Sequence, residues 1–349
     1  MKKLLTVLLL LSCILLSLTP ASAIPKRHTC GDYVYVFEED GTVMILRWDG
    51  TDRDLAVPET LDGFPVTGIG PLVFSGKGGL VSVTLPEGIV RMTNLCFYAC
   101  PDLVRVSLPD SLAEIGINPF SHCPALTDIA FSPDHPFLEL ADGVLFTRPD
   151  RCLVSYPFSF SAESYAVPEG TETIGSSAFS GCENLVSVTI PDSVTRVEDG
   201  AFQDCVRLSS AVVPDSVKDL GWGVFAGCTG LVSAVLPKDL VWLGAELFSG
   251  CSALADFTMP ETVESIGSSA FMGCESLASV TIPDGVLDIG EAAFWGCAGL
   301  TEVSIPDSVI TLMPYAFEYC GDITLVIGRE NEEALSYCED AGVRYIFRE

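Results

Sequence analysis

Nine cysteines recur at one place in a 23-residue register: Cys100, Cys123, Cys182, Cys205, Cys228, Cys251, Cys274, Cys297 and Cys320. A thiol can attack as a thiolate, hold a soft metal ion or close a disulfide, so these residues are the first to test for chemistry. Each follows a phenylalanine by three residues, from Phe97 to Phe317, and precedes a leucine or isoleucine by three. A spacing held without a slip from 182 to 320 belongs to one small unit copied and stacked. Catalysis needs a residue unlike its neighbours, and here nine are equivalent. Equivalent residues in stacked strands lie ~5 Å apart, which a disulfide tolerates. Yet pairing nine members would join alternate neighbours and leave one over, and nothing in the sequence alternates from copy to copy. Free cysteine is a small, readily buried hydrophobe, so the register predicts a column of buried thiols. Cys30, Cys96, Cys152 and Cys338 fall outside it and are the better candidates for pairing.

Other chemistry is sparse. The three histidines are His28, His122 and His135. His122 beside Cys123 suggests a thiol–imidazole pair, but adjacent residues rarely face each other and Cys123 belongs to the column. No glycine-rich phosphate loop, serine elbow or metal-spaced Cys/His cluster occurs. No catalytic residue, metal site or cofactor is expected.

The elements that must position the column follow from one copy. In 185–207, Leu185, Val188 and Ile190 end in period-2 alternation, a short strand with one buried face. Pro191 stops the strand, and Asp192-Ser193 supplies a turn. Ile174, Ala178, Cys182 and Leu185 follow at intervals of four, four and three, which predicts a short helix or 3₁₀ turn in the return limb. The fold class is therefore an α/β repeat, a solenoid of short parallel strands and short helical turns with a cap at each end. Ten copies are marked by Phe74, Phe97, Phe120, Phe179, Phe202, Phe225, Phe248, Phe271, Phe294 and Phe317. If all ten pair, the parallel sheet extends ~45 Å. The expected organisation is a leader at 1–23, an N-terminal β cap at 24–69 and repeats at 70–131. A β-hairpin insertion at 132–167, repeats at 168–327 and a C-terminal αβ cap at 328–349 follow. In that last cap, Glu330–Ala341 is expected as an amphipathic helix and Val343–Phe347 as a strand.

The motif Leu-x-x-Val-x-Ile-Pro-Asp-Ser-Val-x-x-Ile-Gly-x-x-Ala-Phe-x-x-Cys, as in Leu277–Cys297, resembles the BspA-like leucine-rich repeats of bacterial surface proteins. The segments Asp142-Gly143-Val144-Leu145-Phe146 with Tyr156-Pro157, and Gly63-Phe64-Pro65-Val66-Thr67, are similar to segments common in that family. The resemblance implies a curved solenoid and, for characterised relatives, adhesion to host matrix proteins or other cells. The buried asparagine position of leucine-rich repeats falls here at Ser193, Ser216 and Ser308, so that ladder is absent. The family's cell-attachment regions are not seen, so a permanent surface anchor is not expected.

Lys2 and Lys3, the apolar run Leu4–Leu18 and the small residues Ala21-Ser22-Ala23 predict a secretory leader cleaved after Ala23. Lipidation is disfavoured, because Cys13 lies inside the apolar run and Cys30 follows polar residues. No later stretch offers the ~20 apolar residues of a membrane span, so a secreted or cell-surface protein without membrane insertion is expected. The formal charge of −29 argues against nucleic acid and anionic membranes; colloidal solubility accounts for it, with attraction to basic partners or divalent cations as the alternative.

Strand alternation assigns an exposed sheet face. One column runs Ser82, Arg105, Asp128, Ser187, Ser210, Ser233, Asp256, Ser279 and Glu302, and its charged members Arg105, Asp128, Asp256 and Glu302 are candidate binding residues. Trp222 and Trp242 occupy variable positions in adjacent copies and are expected to be exposed close together, as a local packing patch or, alternatively, as a platform for a sugar or partner. Acids follow the strand prolines at Glu87, Asp110, Glu169, Asp192, Asp215, Glu261, Asp284 and Asp307. Turn chemistry accounts for them, with Ca²⁺ bridging as the alternative, although the usual calcium-loop patterns do not occur. The expected role is binding of a protein on a host or bacterial surface. The rivals are a glycan-binding module and a structural envelope spacer.

Overall fold

The computed structural model describes residues 25–348, so the leader assigned to 1–23 lies outside the described residues. Each copy crosses two ladders of parallel strands. The first ladder uses three-residue strands such as Ser82–Thr84, Arg105–Ser107 and Asp128–Ala130, paired 23 residues apart. The second uses two-residue strands such as Thr173–Ile174, Arg196–Val197 and Asp219–Leu220. Strand pleating turns one residue of each inward: Val83 and Val106 are buried, as are Ile174, Val197 and Leu220.

The return limb differs from the expected helix. Among the described residues the only helix is Glu332–Ala341, and the limbs are runs of tight turns. Most limbs hold two left-handed residues four apart, as at Ser177 (φ 56°) and Gly181 (φ 73°) around Phe179. A left-handed residue cannot continue a right-handed helix. It aims alternate amides out of the coil instead. The N–H groups of Ser177, Phe179 and Gly181 donate to the carbonyls of Asp199, Ala201 and Gln203 in the next coil at 2.8–3.0 Å. Those of Ala178, Ser180 and Cys182 close turns onto Gly175, Ser177 and Phe179. The four-four-three spacing thus describes which side chains are buried, while the hydrogen bonds run between coils as a third ladder.

The phenylalanines stack through the second block, with ring centroids 4.8–5.6 Å apart from Phe179 to Phe317. Trp48, fully buried, tops the first block's column against Phe74 at 5.8 Å. Trp48 ends the strand Val43–Trp48, which pairs antiparallel with Tyr33–Phe37 and parallel with Phe64–Ile69, so the N-terminal cap covers the open end. At the other end the helix runs Glu332–Ala341, two residues later than expected, between an Asn331 N-cap and a left-handed Gly342. Strands Thr324–Ile327 and Arg344–Phe347 extend the first ladder. Two cap side chains accept the hydrogen bonds that a further coil would take: Tyr337 Oη from the Phe317 N–H (2.8 Å) and the Glu333 carboxylate from the Leu312 N–H (3.1 Å).

The insertion holds more than a hairpin. Leu138–Ala141 and Val144–Thr147 pair antiparallel, but Cys152–Ser155 then runs parallel to Thr173–Ile174, and Ser164–Ala166 parallel to Ser187–Thr189. Tyr156 lies 23 residues before Phe179, stacks on it at 5.0 Å, and donates its N–H to Ala178 as Phe179 does to Ala201. It is the aromatic of one degenerate coil, with Ser159 at the cysteine position. Neither strand ladder is hydrogen-bonded through from the first block. The core divides into two clusters there, which meet at a cavity of about 140 Å³ lined by Phe120, Cys123, Leu126, Ile129, Leu140 and Phe160. The buried Asn118 amide bridges the join, donating to the Ser177 carbonyl at 2.9 Å. The first ladder also lapses between Thr189 and Ser210 and between Phe257 and Glu302, so the expected continuous ~45 Å sheet is several short ones.

Candidate interaction surface

All nine column cysteines are buried. Eight of them donate S–H to the phenylalanine carbonyl one coil back at 2.9–3.3 Å, from Cys100 to Phe74 through Cys320 to Phe294. Cys182, first after the junction, follows a coil with no phenylalanine in register. From Phe179 to Phe294 each of these carbonyls also accepts an N–H from the cysteine of its own coil, as Phe179 does from Cys182. Cysteine is the small apolar side chain that still carries a donor for the second lone pair. Burial pushes the thiols of Cys182 and Cys274 up to about 12 and that of Cys320 to about 11, so none of these three is a thiolate at neutral pH, whereas the bond to Cys123 lowers Cys100. Cys30, Cys96, Cys152 and Cys338, expected as the better candidates for pairing, are free thiols as well. Cys96 instead donates to the Thr93 carbonyl at 2.9 Å, and Cys338 is buried on the inner face of the C-terminal helix.

His122 and Cys123 do not pair. His122 Nδ1 meets Ser121 Oγ at 2.8 Å and its ring lies against Tyr98 and Phe158, while the Cys123 thiol turns to the Phe97 carbonyl. His135 is buried; its Nδ1 accepts from the Phe137 and Leu138 N–H groups, which leaves Nε2 to donate to the Pro109 carbonyl at 3.0 Å. Both histidines hold loops at the junction.

The acid column binds coil to coil. The Glu87 carboxylate accepts from the Asp110 and Ser111 N–H groups, and Asp215 from the Lys238 N–H at 3.0 Å. That amide bond, with the Lys238 ammonium beside it, holds the Asp215 carboxyl below its usual range. The adjacent Ser111, Ser193 and Ser308 hydroxyls donate to carbonyls one coil back, at Ile89, Thr171 and Val286.

The candidate binding residues fall on two faces. On the first ladder, Arg105 and Asp128 form an ion pair at 3.0 Å, both about half exposed and so contributing at most ~1 kcal/mol. Asp256 and Glu302 are exposed there with no ion-pair partner among the described residues, either side of the lapse in the ladder. Trp222 and Trp242 lie elsewhere, on a return limb and the second ladder. Their rings meet edge to face at 6.4 Å, 50% and 40% exposed. Sequence reasoning missed what continues from this pair. Val241, Leu287, Ile310 and Tyr315 are exposed at successive second-ladder and limb positions, and Trp295 meets the exposed Tyr319 at 5.1 Å. The signal was available as apolar residues at positions where other copies carry Thr or Lys.

A stack of 23-residue coils with a short inward-facing strand, a proline turn and an aromatic–cysteine column defines a leucine-rich repeat solenoid. The chain belongs to the BspA-type leucine-rich repeat family, whose sequence model matches residues 63–139, 155–255 and 242–338 in six copies. The same fold is seen in a leucine-rich repeat protein from Eubacterium ventriosum, 21% identical, with a TM-score of 0.63 over 85% of this chain and 95% of that one. A leucine-rich cell surface protein from Faecalibacterium prausnitzii aligns at 24% identity over 91% and 99% of the two chains, with a TM-score of 0.46. No curated protein matches the chain in sequence. Among the described residues no helix is long and apolar enough to cross a membrane.

Proposed function

We propose that this protein is exported and binds another protein on a host or bacterial surface, without catalysing a reaction. The observation that carries this reading is the Trp222–Trp242 pair, large aromatic area held exposed on a stack whose backbone is tied to its neighbours. Tryptophan is enriched among the residues that dominate protein interfaces. Edge-to-face packing sets one indole edge against the other ring, so the pair forms a ridge and not the flat platform a sugar ring stacks on. The inert thiols and the separated His122 and Cys123 leave no nucleophile–base pair in the column. Export rests on the leader at 1–23.

Immobilised mature protein, probed with extracts of host and bacterial surfaces, should capture a protein saturably. The double variant Trp222→Ala/Trp242→Ala should lose most of that capture. Glycan-array binding removed by the same variant would favour a glycan module, and absence of any saturable ligand would favour a spacer.

A further inference from the structure

The chain's cations are unevenly placed. From residue 239 to 328 there is no lysine, arginine or histidine, while the same 90 residues carry 13 carboxylates, from Asp239 to Asp322. Among the described residues only two of those acids meet a cation, Asp239 with Lys218 at 3.6 Å and Asp307 with Arg348 at 3.5 Å. The face carrying the second ladder has a distinctive pattern in this stretch. Trp242, Ser265, Asp288 and Thr311 pair in register along it. Beside them, one residue earlier in each coil, stand Val241, Glu264, Leu287 and Ile310, all exposed, Ile310 by 68%. On the adjoining limbs Trp222, Glu291 and Tyr315 are exposed as well. At ~4.8 Å per coil, Val241 to Ile310 spans ~14 Å.

We infer that this stripe, from Trp222 and Trp242 to Ile310 and Tyr315, docks a cationic amphipathic segment of the partner protein. The inference rests on the protein-binding reading above and names the partner's chemistry. Val241, Trp242, Leu287 and Ile310 cover the segment's apolar side, and Glu264, Asp288 and Glu291 receive its lysines and arginines. At the start of the stripe Lys218 is paired with Asp239. Beyond it the charge complement is one-sided, and a surface whose charged members are carboxylates repels acidic peptides, anionic glycans and nucleic acid alike. Indole faces add a second attraction for a lysine or arginine head. The coils just before the stripe show the same kind of pairing within the chain: Arg196 meets Asp219 at 3.0 Å across the second ladder, one coil before Trp242. From Trp242 onward the ladder continues with no cation of its own.

The test uses a Lys/Leu amphipathic peptide and its Glu/Leu counterpart, titrated against full-length mature protein and followed by tryptophan fluorescence. The lysine peptide should bind at roughly micromolar Kd and weaken about tenfold between about 50 and 300 mM salt, with no binding by the glutamate peptide. Glu264→Lys/Asp288→Lys/Glu291→Lys should weaken binding at least about tenfold. Glu39→Lys/Asp52→Lys/Glu114→Lys makes the same change in net charge on exposed residues of the N-terminal cap and first block and should weaken it less than about twofold. Equal weakening by both triples would reduce the effect to overall charge and overturn the inference, as would unchanged binding in the stripe triple. If that triple fails to fold by circular dichroism, Glu264→Gln/Asp288→Asn/Glu291→Gln replaces it, with at least about threefold weakening expected. Failure of the parent reading looks different: no protein is captured saturably from surface extracts, whatever the peptides do.

Discussion

Alkali should unfold this solenoid through its own interior. Burial holds the thiols of Cys182 and Cys274 up to about 12 and Cys320 to about 11, against an ordinary 9.0. Cys228, Cys251 and Cys297 are raised further, by desolvation first and by neighbouring column thiols in addition. Cys123 is raised chiefly by its bond to Cys100, whose own thiol the same bond lowers. In the unfolded chain the raised thiols ionise from about pH 9, while in the folded stack they keep their protons to pH 11 or beyond. Above pH 9 the folded state therefore binds more protons than the unfolded one, and stability falls as pH rises. The contribution is fully present below about pH 9 and is withdrawn between about pH 9 and 12. Going from pH 8 to 10 removes about 1.4 kcal/mol per raised thiol; with the opposed Cys100–Cys123 pair left aside, the other six together remove about 8 kcal/mol. That is comparable to the whole stability of an ordinary domain, ~5–15 kcal/mol.

The assay is urea unfolding of the mature protein by circular dichroism, in a strong reductant, from pH 7.5 to 10.5. Thiolate absorbance is recorded in parallel. Stability should be nearly flat to pH 8 and then fall ever more steeply. Cys251→Ala/Cys274→Ala should cost about 1–2 kcal/mol per site at neutral pH, from lost volume and the lost S–H donor. It should also make the loss between pH 8 and 10 smaller by about 3 kcal/mol. Thiols of the folded protein titrating near pH 9, or a pH dependence unchanged in the double variant, would refute the reasoning.

Two further outcomes follow from the ladders. Tyr337→Phe leaves the Phe317 N–H without its acceptor in the cap, and should cost about 1–3 kcal/mol, seen as faster hydrogen exchange confined to the last coils. Gly250→Ala should cost about 1–2 kcal/mol in melting experiments because Gly250 sits at φ 75°, although an added Cβ meets nothing nearer than Gly227 at 3.6 Å.

How far the sequence could be read depended on whether a signal concerned side chains or amides. The Phe–x–x–Cys register names the buried columns correctly, because periodicity reports which side chains face inward. It gave the wrong backbone for the limb, because the direction of the amides depends on φ. The left-handed position two residues after phenylalanine shows as glycine at Gly181, Gly227, Gly250, Gly273 and Gly296. The one two residues before it is masked, since Ser177, Glu246, Ser269 and Ala292 occupy it against their own preference. Tyr156 hid a coil in the same way, by standing where a phenylalanine was sought. The charge asymmetry was legible but lost in a sum taken over the whole chain. Of the candidate residues, Trp222 and Trp242 were placed together from spacing alone, but Arg105, Asp128, Asp256 and Glu302 lie on the other ladder.

The stack treats its acids differently before and after residue 238, and the difference bears on function. Stacking brings equivalent carboxylates to ~5 Å, where a like pair repels by ~0.8 kcal/mol even at water's dielectric. Up to residue 238 the stack repeatedly sets a cation beside an acid: Arg91 with Glu38, Arg105 with Asp128, Arg196 with Asp219, Lys238 with Asp215. Interior packing is the same beyond that point, with the same phenylalanine stack, thiol bonds and turns. Nothing in the fold therefore requires the cations to stop at Lys238. A surface that keeps Glu264, Asp288 and Glu291 uncompensated beside exposed Val241, Leu287 and Ile310 is less stable than a neutralised one would be. Departures from local stability of this kind concentrate at functional sites, and here the departure and the exposed aromatic pair fall on one face.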